Sequence, residues 1–257
     1  MTILCYHSLH PTWESPLAVR PDAFAGQAAW LRRNRRVMPL RDALPQLDAR
    51  GRLPRGHAAL TFDDGFAELH THALPVLMRG RLPATVFLVA QTLTPAGRPV
   101  DWVDTAGPEP LSTLTPDQVL EMRDAGVDFQ SHSWAHHDLT QLSEAECVRD
   151  LRDSRELLSE LLGVPVPLLA YPRGRHSPHV RRAAARAGYT HAFALPERAE
   201  DVDEYAVPRI GVYRNNGPLT VRLKATRPYA RVRTSDIGAG NVRRVKRMAE
   251  RLRLQRR

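Results

Sequence analysis

Short apolar runs with little polar alternation recur along the chain, and helical periodicity fills the stretches between them. Met1–Tyr6, His57–Phe62, Ala84–Ala90, Val127–Ser131, Pro167–Tyr171, Tyr189–Ala194 and Tyr205–Val212 read as strands of this kind. A strand without alternation is covered on both faces, which is the condition of a parallel sheet rather than a half-solvated antiparallel one. Helical spacing is predicted over Asp22–Arg33, Leu40–Ala49, the region of Leu69, Leu74 and Leu77, a segment from Thr115 to Gly126, Ser143–Leu162 and Pro178–Ala187. Ser143 with Glu146 three residues later forms a capping-box pattern, and Pro116 follows a capping Thr115 at a helix start. The alternation predicts the α/β class, a mainly parallel sheet with helices packed over it. With 257 residues, one barrel or two small domains would fit.

The formal net charge of +9 is unevenly placed. Residues 222–257 hold thirteen Lys/Arg against Asp236 and Glu250, so this segment carries +11 and the rest of the chain −2. The basicity belongs to a C-terminal tail and is no argument that the main domain binds nucleic acid. Within 241–257, Val242, Val245, Met248 or Ala249, and Leu252 recur at three- to four-residue intervals among arginines. That pattern suits a basic amphipathic helix on an anionic membrane surface. Two cysteines, Cys5 and Cys147, make no disulfide framework or zinc ribbon. No secretory signal or apolar run of about 18–20 residues is visible. The expectation is a cytoplasmic protein or one peripheral on the inner face of the membrane.

Polar residues gather where the predicted strands end. His7, Asp63-Asp64, His132 and Pro172-Arg173-Gly174 each lie just past a strand C-terminus, the rim at which α/β sheets and barrels assemble their sites. His132 and His136 are four residues apart, and on a helical turn both imidazoles would point the same way, as two metal ligands require. Two acids and a glycine at a strand end leave more carboxylates than a helix cap needs. One carboxylate and two histidines make a three-ligand metal site with an open position, and the second carboxylate is then placed to act as base.

Thr61-Phe62-Asp63-Asp64-Gly65 and His132-Ser133-Trp134-Ala135-His136 resemble the first two motifs of the polysaccharide deacetylases of carbohydrate esterase family 4, the NodB homology domain. The resemblance runs over about residues 1–213. It implies a distorted (β/α) barrel as a single domain over residues 1–221, followed by the basic tail 222–257. It also implies that Asp63 is the catalytic base and that Asp64, His132 and His136 bind a divalent metal, zinc first, with cobalt or nickel as alternatives. Tyr171-Pro172-Arg173-Gly174 resembles the third motif, but Ala170 stands where that motif has arginine. Pro172 and Arg173 remain candidates for the oxyanion donor, through the Arg173 backbone N–H, and Arg173 or Arg175 for orienting Asp63. Leu4-Cys5-Tyr6-His7 is similar to the opening of the branch acting on poly-N-acetylglucosamine, which makes His7 the general acid, and Val207–Gly211 is similar to that branch's closing strand. His137 stands where the family usually has proline and is a candidate neighbour of the metal ligands.

The implied substrate is an N-acetylated glycan, or a lipid-linked precursor if the tail meets a membrane; no specific nucleic-acid partner is expected. No G-x-S-x-G nucleophile motif is present, which disfavours serine catalysis. Two other readings stay open: a metal amidohydrolase on the same barrel acting on a small amide or formamide, and an inactive barrel whose tail holds membrane or nucleic acid.

Overall fold

A computed structural model describes residues 2–50, 56–195, 203–226 and 228–229. Among the described residues one parallel sheet has nine strands: β1 (Thr2–Tyr6), β2 (His57–Phe62), β3 (Ala84–Leu88), β4 (Asp128–Ser131), β5 (Leu168–Ala170), β6 (His191–Ala194), β7 (Val207–Pro208) and β8 (Ile210–Gly211) along its main path, and the two-residue strand Arg36–Val37 pairing beside β2. From β1 each strand pairs with the next in sequence as far as β7. β8 returns to β1, with Leu4 opposite Ile210 and Cys5 opposite Gly211. β7 and β8 are two halves of one chain segment that breaks at Arg209, so a single segment serves both open edges and nearly closes the sheet into a barrel. Seven α-helices occur among the described residues: α1 (Pro21–Asn34), α2 (Leu40–Arg50), α3 (Leu74–Gly80), α4 (Pro116–Asp124), α5 (Glu144–Leu162), α6 (Pro178–Arg186) and α7 (Pro218–Lys224).

Burial on both faces explains why these strands lack polar alternation. Ile3, Ala59, Phe87, Leu168, Ala170, Phe193 and Val207 form one buried cluster with Leu40, Ala43, Leu44 and Leu47 of α2. Leu4, Tyr6, Leu60 and Phe62, the neighbours in sequence, pack outward against Phe24, Ala28 and Leu31 of α1. Tyr6, Phe24 and Phe62 meet at ring separations of 5.4–5.6 Å, the spacing of favourable aromatic pairs. α5 begins with the expected capping box, in which Ser143 accepts from Glu146 N–H, and ends at Gly163 in the left-handed region.

Three expectations are refined. The predicted strand Tyr205–Val212 is shorter and broken, because the Arg209 side chain turns inward. The proline-rich loop 8–21 contains a two-residue parallel pair, Ser8–Leu9 with Ala18–Val19. Helical structure after Gly65 opens as a π-helical turn, Leu69–Ala73, before α3. α7 runs through residue 222, and Lys224 Nζ donates to Gly211 O at 2.7 Å. The segment 241–257 lies outside the described residues.

Candidate active site

The C-terminal ends of the strands converge on a cavity of about 230 Å³ lined by His7, Asp63, Asp64, His132, His136 and Arg173, with Trp102 and Tyr213 among its walls. Asp63 leaves β2 with its N–H still donating to Tyr6 O at 2.9 Å. Asp64 and Gly65 then adopt left-handed φ of 69° and 66°, turning the two carboxylates to different partners. The positive φ favours glycine at 65, and a side chain there would also have to displace the Leu88 Cδ2 methyl, 2.6 Å away.

Asp64 faces the two histidines. Its Oδ1 lies 3.3 Å from His136 Nε2 and 3.6 Å from His132 Nε2, and Trp102 Nε1–H donates to the same oxygen at 3.1 Å. His132 follows β4 and its Nδ1 is fixed by Ala170 O at 2.8 Å, the kind of carbonyl contact that sets which nitrogen is free to ligate. The expected helical turn between the histidines is not formed. Ser133 and His136 instead take φ of 70° and 56° in a loop held by Ser133 Oγ, which accepts from His136 N–H, and by Asp150, which accepts from Trp134 N–H. The two rings still meet, with centroids 5.0 Å apart, and Trp102 stacks on His136 at 5.1 Å. His137 turns away, half exposed and 3.8 Å from Asp150.

Electrostatics fit the trio to a cation. Burial first, then the charge of Asp63, pushes the Asp64 carboxyl up to about 8. Burial likewise lowers both histidines, His136 to about 2. Two imidazoles held neutral can ligate, and Asp64, His132 and His136 offer ligand atoms within 4.8 Å of one another. An N/N/O donor set of this type suits zinc, cobalt or nickel better than magnesium.

Asp63 has a different environment. Arg209 grips it bidentately, Nη1 to Oδ1 at 2.6 Å and Nη2 to Oδ2 at 2.7 Å, and Cys5 Sγ–H donates to Oδ2 at 3.3 Å. Burial pushes this carboxyl up, but the Arg209 guanidinium, helped by His132, outweighs it and holds Asp63 well below the usual carboxylate range. Arg209 is itself fully buried, lies over the Phe87 ring at 5.2 Å and donates to Thr61 Oγ1 at 3.3 Å. The group that orients Asp63 is therefore Arg209, and not Arg173 or Arg175. Arg173 Nη2 donates to Trp102 O at 2.9 Å, and Arg175 pairs with Asp138. His7 stands at the end of β1 beside Asp63, with a buried Nδ1 that has no hydrogen-bond partner, and burial lowers it to about 4. Pro172–Gly174 form a tight turn in which Arg173 has φ 58°. Of the five non-glycine residues with positive φ among those described, Asp64, Ser133, His136 and Arg173 belong to this site, and such strain clusters at functional positions.

A model of the polysaccharide deacetylases matches residues 50–192. The chain belongs to the polysaccharide deacetylase family. As a polysaccharide deacetylase it is a hydrolase that removes acetyl groups from N-acetylated sugars. Over 208 residues it is 26% identical to the poly-beta-1,6-N-acetyl-D-glucosamine N-deacetylase of Staphylococcus epidermidis, covering 75% of this chain and 67% of that one. The solved structure of IcaB from Ammonifex degensii superposes with a TM-score of 0.72 at 26% identity, over 87% of this chain and 96% of that one. The Streptococcus pyogenes deacetylase PplD, solved with acetate, gives the same TM-score at 25% identity, over 87% and 97%. Trp102 and Arg209 are two residues at this deacetylase's site to which the sequence reading gave no role. Arg209 had a signal, a charged residue inside an otherwise apolar strand; Trp102 sits in a long loop with none.

Proposed function

We propose that this deacetylase hydrolyses the N-acetyl groups of a poly-N-acetylglucosamine-type glycan at a divalent metal held by Asp64, His132 and His136. One observation carries the reading: a buried carboxyl and two imidazoles held neutral, with ligand atoms converging, lie beside a second carboxylate kept ionised by Arg209. A bound metal ion of the zinc class would polarise the acetyl carbonyl and bring the pKa of a coordinated water toward about 7. Asp63 accepts the proton of the attacking water, and Arg209 keeps its two oxygens in place. The backbone N–H of Arg173, in the Pro172–Gly174 turn, donates to the oxygen on which charge develops. Asp63 holds the abstracted proton weakly, because Arg209 favours its charged form. His7, with a ring nitrogen within 4.8 Å of that carboxylate, receives the proton and delivers it to the leaving sugar amine as acetate departs.

The similarity to the Staphylococcus epidermidis enzyme and to IcaB supports the branch and the substrate class. His7 at the end of β1, at the rim with Asp63, supports the branch's N-terminal acid. The test is acetate release from acetylated chito-oligosaccharides and β-1,6-linked N-acetylglucosamine oligomers, with metal analysis of the same preparation. His136→Ala should lose stoichiometric metal and activity together, whereas full metal content in that variant removes the ligand assignment.

The membrane contact of the tail belongs to the same proposal. No helix among the described residues is long and apolar enough to cross a membrane, but α7 leaves Leu219 and Leu223 exposed beside Arg222, at the start of the +11 segment. Apolar side chains bordered by basic ones suit an anionic lipid surface, on which a lipid-linked glycan would be met. The test is cosedimentation of the full chain with anionic liposomes at low salt, and no binding there counts against the contact.

A further inference from the structure

The donors beneath the base form a second cluster, separate from the Asp64 trio. Cys5 Sγ, a ring nitrogen of His7 and a carboxylate oxygen of Asp63 lie within 4.8 Å of one another, all buried. Cys5 lies on β1 with no exposed surface of its own. Its S–H points to Asp63 Oδ2 at 3.3 Å. His7 Nδ1 has no hydrogen-bond partner although the residue is only 8% exposed. A tetrahedral zinc ion bonded at about 2.3 Å to sulfur and about 2.0 Å to oxygen separates those two atoms by roughly 3.5 Å. The observed thiol–carboxylate spacing is thus already close to what a bridging ion needs.

We infer that Cys5, His7 and Asp63 form a second, inhibitory site for a soft divalent cation such as Zn2+, Cd2+ or Co2+. On binding, the Cys5 S–H bond breaks, its proton goes to solvent, and the thiolate bonds to the ion where the proton lay against Asp63 Oδ2. A thiolate–imidazole–carboxylate set selects these ions over magnesium or calcium. Arg209 already neutralises Asp63, and a metal at Asp64 would add like charge nearby, so this site fills only when metal exceeds one equivalent. Occupancy engages the base and the acid at once. That inhibitory half rests on the roles proposed above for Asp63 and His7; the binding half does not.

The full chain loaded with one equivalent of Co2+ and titrated with a second tests it. Sulfur-to-cobalt charge-transfer absorption in the near ultraviolet should be absent with the first equivalent, since Asp64, His132 and His136 contain no sulfur. It should rise with the second, persist in Cys147→Ser and vanish in Cys5→Ser. The Zn2+ concentration that halves each protein's own one-equivalent rate should rise at least about tenfold in Cys5→Ser, the lower end of what loss of a supporting group costs in metal affinity. Failure of a second equivalent to bind, binding with no sulfur band, or Zn2+ inhibition unchanged in Cys5→Ser overturns the inference. If Cys5→Ser does not fold, the wild-type titration decides alone. A sulfur band in a protein that never releases acetate would leave this site standing and remove the deacetylase mechanism instead.

Discussion

Asp63 and Asp64 are chain neighbours, yet their surroundings drive them to opposite protonation behaviour. Arg209 holds the first ionised, while burial and the first one's charge lift the second to about 8. Environments that separate two carboxyls in this way commonly assign their roles. Asp63→Asn keeps size and leaves the trio intact, so metal content should be unchanged while turnover falls by about 10²–10⁴-fold, the usual worth of a positioned base. A variant that loses metal and keeps its rate would exchange the two roles. Arg209→Met should be costlier to the fold, since an unpaired buried carboxylate destabilises by about 3–5 kcal/mol. Without the guanidinium the Asp63 pKa rises, and activity, which needs the ionised form, should then fall away at a higher pH on the acid side; Arg209→Lys restores charge without the fork and should lie between. An acid limb that stays put in both variants would separate Arg209 from the base. At this scale the sequence was most legible where the motif is local: Asp63, Asp64, His132 and His136 all line one cavity as read. Arg209 lies 146 residues from Asp63, and no spacing rule connects them; only the closed sheet does.

The elements that carry the site are strand ends followed by strained turns. The alternation of unalternating strands with helices was enough to foresee the parallel sheet, because burial on both faces writes itself into every strand. The turns were less legible, since left-handed φ at Ser133, His136 and Arg173 is imposed by surrounding hydrogen bonds and not by residue type. The expected helical turn at 132–136 fails for that reason. Gly174 tests whether the third turn matters. Its φ is +68°, and a Cβ there would lie 2.5 Å from Leu195 N, so Gly174→Ala must displace the Pro172–Gly174 turn. Because misplacement by about 1 Å can cost roughly 10²-fold, kcat/KM should drop by about that factor with metal content retained. Wild-type kinetics in this variant would exclude the turn from the reaction.

The whole molecule should report the buried site groups in its stability. In metal-free protein, His7 and His136 are lowered to about 4 and about 2, and His132 is lowered too. The unfolded chain therefore binds more protons than the folded one up to about pH 6.5, and stability rises with pH across that window. Asp64, raised to about 8, acts oppositely: the folded form keeps a proton that the unfolded form has lost, so its contribution declines from about pH 4 to about 8. Among these four site groups the three histidines outweigh Asp64 below about pH 6.5, and above it the Asp64 contribution is the one of the four still changing. Thermal midpoints of the metal-free protein should peak near pH 6.5, and Asp64→Asn should lose the decline above it. A metal-free midpoint still rising between pH 7 and 8 would contradict the Asp64 environment described here.

The segment 207–211 ties catalysis to the order of synthesis. Its two halves seal the last edges of the barrel, and the arginine between them is the counter-ion of Asp63. A nascent chain emerges N-terminus first, so Asp63, Asp64, His132 and His136 leave the ribosome before Arg209 does. Until it arrives, β1 and β6 present unpaired backbone that invites other chains, and Asp63 has no neutralising partner. The Asp63 ion pair and the closure of the sheet edges are thus completed in one step, when the final strand is threaded home.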